Sequence, residues 1–103
     1  MTQRTDKELL ELAARAAGVV ILGFFDCGSI KSRVHSDVRW NPLADDGDAF
    51  RLAVKLELYI FIDDKKTHVD SHDMTVLERF KDCPYVATRR AIVRAAAEIG
   101  AKL

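Results

Sequence analysis

The chain has 103 residues, 49% of them hydrophobic, 31% charged and 8% aromatic, and its sixteen basic residues are matched by sixteen acidic ones. That length suits one domain over 1–103 with a single buried core, and the apolar fraction lies above the disordered range. Zero formal net charge excludes the broad basic excess of an unspecific nucleic-acid or membrane-surface binder, so the surface must work through local patches.

The longest uncharged stretch, Ala16 to Phe25, is ten residues, too short to span a bilayer. The opening Met1-Thr2-Gln3-Arg4-Thr5-Asp6-Lys7-Glu8 carries acids where a signal peptide needs a basic region and an apolar run. Cys27 and Cys83 lie 56 positions apart with no C-x-x-C, so the expectation is two reduced thiols in a cytoplasmic chain with no membrane partner.

In chain order, Thr5 with Glu8 three residues later makes a capping box, in which each side chain accepts from the other residue's backbone N–H. Leu9, Leu12, Ala13, Ala16 and Ala17 then repeat at helical spacing, and Gly18 stands where a left-handed C-cap is expected. A helix over 6–17 follows, with Leu10 widening its apolar face. Val19 to Phe25 is a continuous apolar run that predicts a buried strand. Asp26-Cys27-Gly28-Ser29 is a turn signal, and Ile30, Ser32, Val34 and Ser36 alternate into an exposed second strand. Trp40-Asn41-Pro42-Leu43 breaks it, because proline fixes its own backbone and disfavours a helical residue before it.

The second helix is predicted from Asp45 or Asp46 to Leu56. Asp45, Asp46 and Asp48 crowd its first turn, where they complement the positive end of the helix dipole. Ala49, Leu52, Ala53 and Leu56 form its buried stripe, flanked by Phe50 and Val54. Leu58 to Ile62 is the clearest strand, Asp63-Asp64-Lys65-Lys66 a polar turn, and Thr67 to Ser71 the return strand of a hairpin, with an edge open to pairing across a dimer. His72 to Asp82 reads either as a short helix or as an apolar loop over the sheet. Pro84 precedes the third helix, whose buried face is Ile92, Val93, Ala96 and Ile99. The fold expected is α+β: a two-layer sandwich of three helices on a small, mostly antiparallel sheet, in the order α-β-β-α-β-β-α.

Two clusters and one aromatic carry the candidate chemistry. On a strand, His68, Asp70 and His72 alternate onto one face, a weak candidate metal set; the competing reading, a solvated hairpin edge, is favoured because spacing alone is weak evidence for a ligand set. Thr88 as N-cap of the third helix puts Arg89 and Arg90 in its first turn, with Arg94 one turn on. Basic residues there oppose the helix dipole, so they meet either an anionic ligand or acids of the chain itself. The balance of charge favours internal pairing with Asp45, Asp46 and Asp48. Trp40, the sole tryptophan, is either a lid on the core or a binding anchor. No nucleophile signature joins Cys27 to His35, and Gly18, Gly23, Gly28, Gly47 and Gly100 are too scattered for a phosphate loop. No catalytic residue and no cofactor are expected.

Three blocks resemble a known group. The run from Trp40 through Asn41, Pro42, Leu43 and the acids Asp45, Asp46 and Asp48 to Leu56 resembles the central motif of small proteins encoded by tailed phages and prophages. The stretch Ala87-Thr88-Arg89-Arg90-Ala91-Ile92-Val93-Arg94-Ala95-Ala96-Ala97 is similar to their closing helix, and Thr5 to Ala13 to their first. The group is similar to the NinX-like phage proteins. The resemblance implies a phage or prophage origin and no catalytic residue. The expectation is a non-enzymatic accessory protein of the bacterial host's cytoplasm that binds a host or phage protein, in host takeover or counter-defence, through Trp40, Arg89, Arg90 and Arg94. The alternatives are a nucleic-acid binder using the three arginines and a metal-dependent hydrolase at His68, Asp70 and His72.

Overall fold

A computed structural model describes residues 4–25, 28–32, 39–72 and 74–103. The expected turn at Asp26-Cys27, the strand positions Val34 and Ser36, His35 and Asp73 lie outside them. The described residues form three helices, α1 (Asp6–Ala17), α2 (Asp46–Lys55) and α3 (Pro84–Ala101). Six strands accompany them: β1 (Ile21–Phe24), β2 (Ile30–Ser32), β3 (Arg39–Trp40), β4 (Tyr59–Ile62), β5 (Lys66–Asp70) and β6 (Thr75–Arg79). The strands make two three-stranded antiparallel sheets, ordered β1-β2-β3 and β4-β5-β6. The α+β class stands, with each expected hairpin extended by one strand.

Local signals explain the first two helices. Thr5 and Glu8 close the capping box, and Gly18 ends α1 at φ 74. Asp45 caps α2 by accepting from the Asp48 N–H at 2.8 Å. At the other end of α2, the Leu58 N–H donates to the Ala53 carbonyl (3.0 Å) and the Glu57 N–H to Val54 (3.2 Å), a Schellman closure. It holds Glu57 at φ 56, a left-handed position where glycine is the usual residue, and aims the chain straight into β4.

The third helix begins earlier than Thr88. Pro84 occupies its first turn and Cys83 the N-cap position, because proline's missing N–H is one the first turn leaves unbonded anyway. Thr88 therefore sits in the second turn, where its hydroxyl meets the Thr67 hydroxyl at 2.8 Å. The ambiguous segment before it is β6, neither helix nor loop: Val76 faces inward at 6% exposure while Leu77 faces out. The pleat decides, since side chains two apart share a face.

Other expectations also change. Trp40 does not break the first strand set; it ends β3 opposite Ile30, and the break falls at Asn41-Pro42. Ile30 is fully buried instead of exposed, held beneath Leu10 and Ala14 of α1. Conversely Val20 and, in β1, Ile21 and Leu22 are exposed; among the described residues β1 is an edge strand that pairs with β2 alone. The strand over Thr67 to Ser71 is no open edge either: β5 is central, bonded on both sides.

The main core lies between α3 and everything else. Helix α3 packs on α1, on α2 and on the inner face of β5 and β6. Val69, Val93, Ala13, Ala91 and Ala95 are all at 0% exposure, and each buried valine contributes about 1.5–3 kcal/mol. A smaller cluster of Leu10, Ala14 and Ile30 joins it through Trp40 and Leu43, which pack against both.

Gly100 shows how close α1 and α3 come. A Cβ placed there meets the Leu12 carbonyl oxygen at 2.0 Å, backbone against side chain with nothing flexible to yield. Gly100→Ala is therefore expected to destabilise the fold by about 3 kcal/mol or to prevent folding, although alanine is the better helix former. Urea denaturation of the variant checks this; equal or raised stability contradicts so close a contact.

Candidate interaction surface

Among the described residues, helix α3 packs on one face of the β4-β5-β6 sheet. Its inner face is set by Thr67 and Val69, both fully buried. By alternation Tyr59, Phe61, Lys66, His68, Asp70, Thr75, Leu77 and Arg79 point outward. Cross-strand rows follow from the register: Phe61 opposite His68 opposite Leu77, and Tyr59 opposite Asp70 opposite Thr75. Tyr59 is 65% exposed, Phe61 57% and Leu77 38%. On the same face, Nε2 of His68 and Oδ1 of Asp70 are buried atoms with no hydrogen-bond partner among the described residues. What this face presents outward is therefore aromatic and aliphatic surface.

The turn that joins β4 to β5 is held by Asp63. Its carboxylate accepts from the backbone N–H groups of Lys65 (2.8 Å) and Lys66 (2.9 Å) and pairs with the Lys66 ammonium at 3.1 Å. The Lys65 N–H bond first, and then Lys66, hold its pKa down at about 2. At the far end of the face Lys66 stands directly opposite Arg79, a like-charge pair that Asp63 partly offsets.

His68 and Asp70 do share a face as the spacing predicts, but the metal set does not assemble. β5 ends at Asp70 and His72 lies beyond it in a bend. Among the described residues no group of three or more His, Cys, Asp or Glu side chains can hold a metal ion. The reason is geometric: alternation places a residue only while the strand continues.

The three arginines sit on α3 but not at its N-terminus, and each meets acids of the chain itself. Arg89 donates to the Leu43 carbonyl (2.9 Å) and pairs with Asp46 at 2.6 Å. Arg90 pairs with Asp6 at 3.0 Å and lies 3.9 Å from Glu78. Arg94 pairs with Glu78 and donates to the Leu77 carbonyl at 3.2 Å. Internal pairing thus draws on α1 and β6 as well as α2. Of the acids expected as partners, Asp46 alone serves: Asp45 caps α2, and Asp48 accepts from the Asn41 N–H (2.9 Å) and from Arg51 (2.8 Å). Trp40 is half-buried and bridges the two core clusters. Cys83 is a free, half-buried thiol, while Cys27 lies outside the described residues.

A depression of about 390 Å³ opens between the first turn of α1 and the Asn41–Ala44 turn. Its charged groups are already engaged, Asp6 with Arg90 and the Lys7 ammonium 4.9 Å from the centre of the Phe24 ring. No described helix is long and apolar enough to cross a membrane. Compared with protein-family models, curated proteins and solved structures, the chain finds no match.

The exposed aromatics gave no motif to read; the one usable signal was Tyr59 and Phe61 at a two-residue interval in an otherwise apolar strand. Two outcomes follow from the geometry. Arg89→Ala removes bonds to both Leu43 and Asp46 and is expected to cost about 1–3 kcal/mol of stability, read by thermal unfolding; an unchanged midpoint contradicts the pairing. Because the folded pKa of Asp63 is depressed, its stabilisation is present above the unfolded carboxyl range and is lost as pH falls through about 2. The stability gap between the native chain and Asp63→Ala should therefore close between pH 5 and pH 2, measured by urea titration, and a constant gap refutes it.

Proposed function

We propose that the protein acts by binding another protein, as a non-enzymatic accessory protein of a tailed phage or prophage in the cytoplasm of its bacterial host. The observation that carries the binding role is the outer sheet face, where Tyr59, Phe61 and Leu77 stand exposed in neighbouring cross-strand rows. Exposed aromatic and aliphatic side chains gathered on one sheet face are what the centre of a protein interface uses, because large rings supply apolar contact area at little entropic cost. The phage setting rests on the resemblance of Thr5 to Ala13, Trp40 to Leu56 and Ala87 to Ala97 to the NinX-like proteins.

The face replaces Trp40 and the arginines as the leading contact. Arg89, Arg90 and Arg94 spend their charge on Asp46, Asp6 and Glu78, so little is left for a partner or for phosphates. Affinity capture from host lysate with the folded protein as bait tests the reading. Tyr59→Ser and Leu77→Ser are expected to weaken capture of the specific partner by about tenfold or more, while Arg51→Ala, at an exposed α2 residue paired with Asp48, leaves it unchanged. A folded Tyr59→Ser, Leu77→Ser double variant that captures the same proteins equally well overturns it.

A further inference from the structure

The two edges of the β4-β5-β6 sheet are treated differently. In the β5-β6 ladder, bonds from Phe80 N–H to Lys65 and from Ser71 N–H to Met74 fix the alternation, which turns the backbone groups of Leu77 to the outer side of β6. That side is guarded: Arg94 takes the Leu77 carbonyl, and Glu78 and Arg79 add charge. Natural sheets block edges in this way to prevent pairing. On the other side, the Asp63 N–H to Lys66 bond fixes the β4-β5 alternation and turns N–H and C=O of both Ile60 and Ile62 to the open side of β4. Those four groups have no partner among the described residues. The strand itself, Tyr-Ile-Phe-Ile, contains no charge, no proline and no bulge. β1, the other apolar edge, is broken by a register shift at Gly23.

A second observation lies on the same segment. Ile62 shares the inward face with Thr67, its cross-strand partner, yet it is 61% exposed. Phe50 and Val54 of α2, which leads directly into β4, are 68% and 62% exposed.

The geometry points to a symmetric dimer, formed with a second copy of this chain by antiparallel pairing of β4 with β4 across a two-fold axis at Phe61. An isologous contact requires a self-complementary edge, and the pleat admits two central registers that keep inward side chains together. With the axis at Ile60, hydrogen-bonded pairs include Leu58, whose N–H is already committed to Ala53. With the axis at Phe61, Ile60 pairs with the other copy's Ile62 on both sides, and all four open groups of each strand are satisfied. Backbone bonding therefore selects the register centred on Phe61. It places the two Phe61 rings side by side on the outer face, covers Ile62 with Ile60 of the second copy and makes one continuous six-stranded sheet.

The dimer is tested apart from the partner-binding reading, because it uses the β4 edge and, of the outer-face residues, brings only Phe61 to its axis. Molar mass by light scattering over a concentration series of the full chain is the first test, with a dimer expected. Ile62→Lys, at an exposed position, is expected to raise the dimer dissociation constant by about tenfold or more while leaving the thermal midpoint of the monomer in place. In a Cys27→Ser, Cys83→Ser background, Phe61→Cys is expected to cross-link to itself under mild oxidation. Tyr59→Cys should not, since its two copies stand about 13 Å apart in this register. A protein that stays monomeric across the series, or a dimer that cross-links equally through positions 59 and 61, overturns the proposal. Loss of lysate capture with the dimer intact bears on the face alone.

Discussion

The close approach of α1 and α3 is the contact on which the remaining architecture rests. Ala13 on one helix and Ala91, Ala95, Ala96 and Ala97 on the other are at 0% exposure in one core cluster, and Gly100 leaves no room for a single added carbon. Small side chains let two backbones come within a short interaxial distance. With one flank of α3 so occupied, its other flanks are left for α2 and for the inner face of β5 and β6. Charges around this contact close it off: Arg4 meets Glu98 at 2.6 Å, and Arg90 meets Asp6.

That arrangement makes the molecule one-sided. All helical packing on the β4-β5-β6 sheet lies on the face of Thr67 and Val69, so apolar residues that alternate away from it have nowhere to go. An apolar content of 49% is therefore not a measure of core alone. Part of it stands on the surface, much of it in two stretches, Val20 to Leu22 and Phe50 to Ile62. The equal count of acids and bases gains a meaning too: it reflects ion pairs that join α3 to α1, α2 and β6 more than a neutral, featureless exterior.

Elements with their own local signals were legible. The capping box at Thr5, the Asp45 cap and the apolar run of β4 each act within a few residues, so α1, α2 and β4 are predicted nearly to their ends. Helix α3 carries two start signals, Pro84 and Thr88, and proline prevails because its ring is already set for the first turn. β6 was hidden because Leu77 points outward and Glu78 inward, the reverse of a hydrophobic-in pattern; Glu78 is tolerated there only because Arg90 and Arg94 reach it from α3. Val19 to Phe25 read as buried because a short apolar run has no periodicity to distinguish an edge from a core strand.

What the residue order specifies unaided is the set of elements, their class and the presence of opposite charges near α2 and α3. Caps, helical period and turn residues are short-range properties, and they need no knowledge of the rest of the chain. Which acid each arginine meets, which strand is left at the edge and which aromatic faces outward depend on residues brought together over long separations. Arg89 and Asp46 are 43 positions apart, and Arg90 and Asp6 are 84 apart. Packing alone settles such pairings, because a sheet face becomes buried or bare only once the helices have chosen a side.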